Sequence, residues 1–357
     1  MREANAVDFW RGMALVTIFI NHIPGIYFDR FTHRNISISD SADLFVFLAG
    51  WGLRMMIGRP EDPTPLKRVL YRVGARIVIL YSAQITIVTV AIGLLAASAL
   101  LLDNPLLLEW HNAAAIFYDP VKAHIGLMLL THQLGYFDIL PLYVVLMSMA
   151  PVILIIHRSY PNFLLPASLI VYLFALIFQV SLPSWPGDGQ WFFNPLAWQL
   201  VFVLGFVMAR ERGLGGVVRR NIGTIRWVSL PIVVGCAVAT LFKLWPDPTI
   251  FPEPKLLFVF SKHYATPPRL LQFLAFVAVV SFTYPFIAAH ARGLVNFMSK
   301  LGRNSLHVFC VSSILSLLGQ IVRFVYKGDF LVDTVILLTG VALMGLTAWL
   351  AEKREKR

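Results

Sequence analysis

Long uncharged stretches constrain this chain more than any other feature of its sequence. Several runs reach the eighteen or more apolar residues expected of a spanning helix, in a chain of 357 residues that is 58% hydrophobic and 14% charged. Backbone groups within lipid need internal hydrogen-bond partners, so runs of this length must be helical. The sequence predicts an all-α, polytopic membrane protein with about ten transmembrane helices in one domain over residues 1–357.

The predicted spans follow the hydrophobic blocks of the sequence. A shorter apolar patch between Trp110 and Thr131 is interpreted as an interfacial or re-entrant segment. The ten spans are predicted at 7–26, 42–58, 74–102, 136–156, 162–181, 195–211, 227–245, 270–290, 304–326 and 330–351.

Positive charge is distributed unevenly between the two sets of alternating loops. Of the 30 Lys and Arg residues, 21 fall on one side of these spans and the other nine on the opposite side. Because Lys and Arg are retained on the cytoplasmic side, both termini and the loops after even-numbered spans are predicted to be cytoplasmic. Topology therefore explains the net charge of +11, and no nucleic-acid partner is expected.

The cysteines and the first hydrophobic segment exclude two other classes. Cys236 and Cys310 lie within apolar spans, and they give neither a disulfide framework nor the spacing of a metal site. Asn21, His22 and Pro24 occupy the position where a signal peptide would have small residues, so the first segment is expected to remain as a span.

Two ionisable residues stand at opposite ends of the first predicted span. Arg11 and His22 are about 16 Å apart along a helix axis, and ionisable groups in spans are functional candidates. Arg11 is either a residue that binds a donor phosphate or an ordinary interfacial arginine. His22 is either a catalytic base or an interfacial histidine bonded to a neighbour.

Three further arginines lead into the third span. Arg68, Arg72 and Arg76 recur every four residues, which places them on one helix face over about 12 Å. Guanidinium groups in this arrangement suit a 3′-phosphate and a pyrophosphate, or else lipid headgroups.

Two carboxylates open the second span. Asp40 and Asp43 have the spacing of an N-cap residue and its N3 partner, so helix capping explains both. Alternatively, Asp43 orients a catalytic histidine, and one residue can serve both purposes.

Polar and aromatic residues cluster at the non-cytoplasmic ends of other spans. This mixture is typical of carbohydrate sites, although an interfacial aromatic belt also explains it. Together with Asp40, the candidate acceptor-side residues are His132, Asp138, Trp191, Asn194, Trp198 and Gln199.

Six stretches from the first to the ninth span form a recognisable set of motifs. They are DFWRGMA at 8–14, NHIPG at 21–25, SDSADLFVFLAG at 39–50, YFDILPLY at 136–143, NPLAWQ at 194–199 and GRNSLHVFC at 302–310. In the first span, ten residues separate Arg11 from His22. This spacing resembles the first-span motif of the membrane acyltransferase-3 superfamily, and the stretches together resemble its osmoregulated periplasmic glucan succinyltransferase family.

This resemblance implies a ten-helix enzyme of the bacterial inner membrane that transfers an acyl group from cytoplasmic acyl-CoA to a periplasmic glucan hydroxyl. It implies His22 as the catalytic histidine and Arg11 as a donor-side residue. We expect succinyl-CoA as co-substrate, no permanently bound cofactor, and membrane lipids as surroundings. Asp43 is the first candidate to orient His22 and Asp138 the second. The expected donor-binding residues are Arg11, Arg68, Arg72, Arg76 and Arg303.

A proton-coupled solute transporter or flippase is the alternative, with His22, Asp43 and His307 forming a path. The sequence shows no pair of broken, repeat-related helices, which argues against it. A purely structural scaffold leaves the pairing of Arg11 and His22 unexplained. The oligomeric state is not predicted.

Overall fold

The computed structural model of the protein describes residues 4–58 and 64–355. Helices make up 75% of these residues, and two short strands, β1 (Pro183–Ser184) and β2 (Gly189–Gln190), pair antiparallel. The α-helices are α1 (Ala6–Asn21), α2 (Ser41–Met56), α3 (Leu66–Leu101), α4 (Ala114–Tyr118), α5 (Pro120–Met128), α6 (Ile139–Ser159), α7 (Leu164–Ile177), α8 (Pro195–Met208), α9 (Leu214–Arg220), α10 (Ile222–Leu241), α11 (Pro267–Val280), α12 (Thr283–His290), α13 (Arg292–Arg303), α14 (Ser305–Tyr326) and α15 (Phe330–Glu355).

The protein is a multi-pass membrane protein. In the described part of the chain, α3, α6, α10, α14 and α15 are long and apolar enough to cross a membrane, and α11 with α12, joined at a 40° bend, makes a sixth candidate. Helices α7 and α8 are apolar but shorter. Every predicted span falls on a helix or on this bent pair, whereas ten crossings and cytoplasmic termini stay predictions. Four residues of the charge count lie outside the described residues: Arg2, Arg59, Lys356 and Arg357.

Several helices differ from the predicted spans; α1 ends at Asn21 rather than at 26, and α9 lies outside them. Helix α3 begins at Leu66, well before position 74, so all of its basic first turns are helical. Helix α13 was not predicted because its apolar residues form one face rather than a continuous run. Val295, Met298 and Leu301 on that face are buried. The segment between 110 and 131 forms the short helices α4 and α5.

The chain folds into two compact units. Unit 1 comprises Met1–Phe45, Asn221–Pro246 and Leu271–Arg357; unit 2 comprises Val46–Arg220 and Asp247–Leu270. That the two units together form a single domain stays a prediction.

Backbone contact between helices organises unit 1. A Cβ atom at Gly12 of α1 would overlap the carbonyl oxygen of Met298 in α13, and one at Gly302 would overlap that of Asp8. Only glycine permits this approach, because it lacks the atom that would clash. Helices α1 and α13 are therefore in direct contact along the first turns of α1.

A similar crossing lies in unit 2, between α2 and α8. A Cβ at Gly50 would overlap the carbonyl oxygen of Phe202, and one at Gly205 would overlap that of Phe47. Helix α8 is buried along nearly its whole length, from Pro195 to Val207. It is the central helix of this unit.

Candidate active site

Helix α1 carries Arg11 near its start and His22 at its end. Asn5 caps the helix by accepting a hydrogen bond from the main-chain N–H of Asp8, and the N–H of His22 donates to Ile18 O at 2.9 Å. The helix is continuous between these caps, so the axial separation of about 16 Å expected from the sequence applies.

At the start of α1, Arg11 is held beside a buried carboxylate. Its Nη1 lies 3.6 Å from Oδ1 of Asp8, whose other oxygen accepts a 2.6 Å hydrogen bond from Asn5 Nδ2. Gly302 packs against Asp8 and Gly12 at the crossing of α1 and α13, and Arg303 is the next residue in the chain. Each of the two predicted donor-binding arginines of unit 1 therefore directly follows or precedes, in sequence, a glycine of this crossing.

Arg303 is already engaged with an acidic residue of α15. Its Nη2 and Nε donate to Oε1 of Glu352 at 2.8 and 3.1 Å. Both side chains are less than one-fifth exposed. A donor phosphate that reaches Arg303 would compete with this carboxylate.

Helix α14 holds the end of α1 where His22 lies. Gln320 Nε2 donates to the main-chain carbonyl of His22 at 2.6 Å, and Ser316 Oγ donates to Phe19 O at 3.1 Å. Gly319, between these two residues, faces the side chain of Ile23 closely. Two hydrogen bonds and one close contact therefore fix the backbone on both sides of the half-buried His22.

An ion pair fixes the loop immediately after His22. Arg323 donates through Nε to Asp333 Oδ1 at 2.6 Å, and its two terminal nitrogens donate to the carbonyls of Pro24 and Gly25. The second oxygen of Asp333 accepts the main-chain N–H of Tyr27 at 2.6 Å. Sequence reasoning missed this arrangement, although Arg323 and Asp333 flank the short connection between the last two predicted spans.

Asp40 and Asp43 form a reciprocal capping box at the start of α2. Asp40 Oδ1 accepts from the N–H of Ala42, and Asp43 Oδ2 accepts from the N–H of Asp40, both at 2.9 Å. The capping interpretation is therefore confirmed. A hydrogen bond between the hydroxyls of Ser41 and Thr17 joins this helix start to α1, within two turns of His22.

The loop that leads to this capping box is anchored by Gln272. Its Oε1 accepts from Ser37 Oγ at 3.0 Å and from the N–H of Ser39 at 3.2 Å. All three side chains are buried. The position of Asp40 and Asp43 is thus set by a polar network as well as by α2 itself.

The three other predicted donor arginines lie in unit 2. Arg68, Arg72 and Arg76 occupy the first turns of α3, where Arg68 and Arg72 are exposed and Arg76 is half-buried. Helix α3 has 36 residues and is therefore about 54 Å long, more than a bilayer core needs. The turns that carry Arg68, Arg72 and Arg76 belong to the part of α3 that exceeds the thickness of the bilayer core.

Three of the predicted acceptor-side residues have structural contacts in unit 2. Asn194 caps α8 and also donates to Val180 O; Trp198 Nε1 donates to Lys262 O at 3.0 Å. Gln199 exchanges hydrogen bonds with the hydroxyl and carbonyl of Ser168 on α7. All three side chains are buried, and their contact with an acceptor stays a prediction.

The remaining acceptor-side candidates of this unit lie in connections or at a helix start. His132 and Trp191 are each 4% exposed, and Asp138 directly precedes α6. Burial lowers the pKa of His132 below its usual 6.5, although a hydrogen bond with the main chain of Asn112 opposes the shift. Burial therefore favours the neutral form of His132.

The arrangement in unit 1 has the components of base-catalysed acyl transfer. A half-buried histidine lies at one end of α1, and a guanidinium group stabilised by a buried carboxylate lies at the other. Among the described residues, no group of three His, Cys, Asp or Glu side chains is arranged to hold a metal ion.

A comparison with protein families gives one match that covers nearly the whole chain. The family model described as OpgC protein matches residues 2–356. Searches among curated proteins and among solved structures give no match. The family implies an acyltransferase-type enzyme and indicates glucan succinylation, and it does not favour a transporter. The chain belongs to the OpgC protein family, the osmoregulated periplasmic glucan succinyltransferases.

Proposed function

We propose that this protein is a transmembrane O-acyltransferase of the bacterial inner membrane. It moves a succinyl group from cytoplasmic succinyl-CoA to hydroxyls of a periplasmic glucan. The observation that supports this proposal most strongly is the continuity of α1 between Arg11 and His22. A donor that binds phosphate at one end of this helix and presents its thioester at the other needs about this length.

The donor nucleotide binds at the cytoplasmic ends of the helices. In the proposal, Arg11 and Arg303, which are the sequence neighbours of Gly12 and Gly302 at the crossing of α1 and α13, bind phosphate oxygens through their guanidinium groups. The sequence also predicts Arg68, Arg72 and Arg76, which lie in unit 2, as residues that bind the donor. The acyl-CoA is a co-substrate, and no permanently bound cofactor takes part.

His22 acts as general base in the proposed reaction. It removes the proton from the glucan hydroxyl as that oxygen attacks the thioester carbonyl; the C–S bond breaks, and the CoA thiolate leaves and takes up a proton. Asp43 orients the histidine, which is supported by the hydrogen bond that ties the start of α2 to α1. Asp138 is the alternative carboxylate, and acyl transfer through His22 itself is the alternative route.

The test is release of free thiol by the purified protein with succinyl-CoA, acetyl-CoA or neither, each with and without a periplasmic glucan. We expect glucan-stimulated release with succinyl-CoA and loss of this release in His22→Ala. A matched control is His307→Ala, because this exposed histidine of α14 has no part in the proposed reaction.

Each contrary result has a separate meaning. Full activity in an inserted His22→Ala variant removes the proposed mechanism. Release with acetyl-CoA alone keeps the mechanism and overturns the succinyl assignment. Solute movement without any thiol release favours transport.

A further inference from the structure

Three helices of unit 2 bring basic side chains to one place outside the proposed active site. Helices α2 and α8 cross at Gly50 and Gly205, and Arg54 and Arg210 lie about one turn further along each chain. All the residues of this crossing belong to unit 2. The positive-inside pattern assigns both arginines to the cytoplasmic side.

A histidine from α6 completes this cluster. The ring of His157 packs edge-on against Phe206, next to Gly205, with ring centroids 5.0 Å apart. The charges of Arg210, Arg54 and Arg158 all act on His157, and Arg210 also acts on Arg54. Glu211 is the acidic residue whose charge acts on Arg54.

The backbone holds the two arginines in place and leaves further hydrogen-bond donors unused. Arg54 Nη1 donates to Gly58 O at 2.9 Å, and Arg210 Nη1 donates to Pro161 O at 3.1 Å. Arg54 Nε and His157 Nδ1 are buried and have no hydrogen-bond partner among residues 4–58 and 64–355. Buried polar atoms without a partner are costly, which points to a ligand.

We propose that Arg54, His157 and Arg210 form a binding site for a phosphate group. Two like charges close together are destabilising unless an anion lies between them, and guanidinium groups bind phosphate oxygens in pairs. The imidazole of His157 adds a hydrogen bond through Nδ1. Among residues 4–58 and 64–355, Glu211 is the acidic side chain whose charge acts on Arg54, and one carboxylate does not neutralise two arginines.

Two kinds of molecule carry a phosphate group that fits this site. The phosphate belongs either to a soluble ester or pyrophosphate from the cytoplasm or to an anionic lipid headgroup at the membrane surface. Both occupy the site through the same nitrogen atoms. The experiment therefore has one arm for each source.

In the first arm, inorganic pyrophosphate is titrated into the full-length protein in maltoside detergent without phosphate, and the thermal unfolding midpoint is followed. We expect the midpoint to rise with pyrophosphate, as for any ligand specific for the folded state. Arg54→Gln and Arg210→Gln should weaken the apparent affinity by about tenfold or more. Arg212→Gln, an exposed arginine of the same loop, is the matched control and should bind as the wild type does.

In the second arm, the same proteins are compared in nanodiscs of phosphatidylglycerol and of phosphatidylcholine. A stabilisation by phosphatidylglycerol that both variants lose, with no effect of pyrophosphate, supports the proposal and assigns the phosphate to lipid. The proposal is overturned if the two variants and the control respond alike in both arms. His157→Asn, which keeps both arginines, tests the site if an arginine variant does not fold. Since no arm uses acyl-CoA, failure here is separate from failure of the proposed acyl transfer.

Discussion

The side-chain amide of Gln320 donates a 2.6 Å hydrogen bond to the main-chain carbonyl of His22. This contact fixes the residue proposed as base without touching its imidazole. Replacing Gln320 with Glu keeps the size of the side chain but removes the N–H donor. We expect glucan-stimulated thiol release to fall about tenfold, because a small displacement of a catalytic group is costly. The measurement determines kcat and the KM for the donor. We expect kcat to fall and the donor KM to stay the same.

Ser316→Ala is the matched control for this change. Ser316 lies one turn earlier on α14 and donates to Phe19 O and Ser312 O, not to His22. Its loss should affect kcat less than the loss of Gln320. Equal effects of the two variants would indicate general packing rather than positioning of His22.

The pair of Arg323 and Asp333 should be the most sensitive electrostatic element of unit 1. The side chain of Asp333 is 3% exposed, so removing either partner leaves a buried charge uncompensated. We expect Arg323→Met or Asp333→Asn to lower the free energy of unfolding by about 3–5 kcal/mol. Chemical unfolding of the purified protein measures this.

The double variant distinguishes an ion pair from two separate contacts. Arg323→Met with Asp333→Asn should cost less than the sum of the single changes, because neither leaves an isolated charge. Lys327→Met removes an exposed charge from the same connection and should have little effect. Strict additivity would argue against direct coupling.

The helices were predictable because lipid imposes one strong rule on the sequence. At each apolar run the structure contains a helix or the bent pair of α11 and α12, and the basic residues at 68, 72 and 76 indicated one helical face, which α3 provides. Helix α13 was not found by this rule. Its buried residues Val295, Met298 and Leu301 recur every three residues, a helical period that a search for apolar runs does not detect.

The site was predictable only where the residues are close in sequence. The capping box of Asp40 and Asp43 depends on spacing alone, and the structure contains it. The contacts of Gln320 and Arg323 with the segment from His22 to Gly25 join residues about 300 positions apart. Such contacts depend on how α14 packs against α1, which no local pattern specifies.

Replacing Glu352 tests whether Arg303 binds the donor. Glu352→Gln removes the carboxylate that now accepts from Arg303, and it leaves a side chain of the same size. If Arg303 contacts the donor phosphate, the KM for succinyl-CoA should fall by roughly two- to fivefold, the range of a partly exposed ion pair. Arg303→Gln should raise this KM. An unchanged KM in both variants would make the pair purely structural.

Acid should destabilise unit 2 through two of its histidines, His132 and His263. Burial lowers the pKa of His132, whereas the unfolded chain titrates near 6.5. Below about pH 6.5 the unfolded state therefore takes up a proton that the folded state resists, so stability is full above this pH and falls as the pH falls toward the folded pKa. Burial lowers the pKa of His263 in the same way, and its effect has the same sign.

The histidine variants separate this effect from general acid sensitivity. His132→Asn should reduce the difference in unfolding midpoint between about pH 7.5 and about pH 5, but not abolish it, since His263 remains. His124→Asn changes an exposed histidine of the neighbouring helix α5 and should leave the difference as in the wild type. If the His132 variant keeps the full pH dependence, protonation of His132 is not among its causes, and the carboxylates of the unit become the next groups to test.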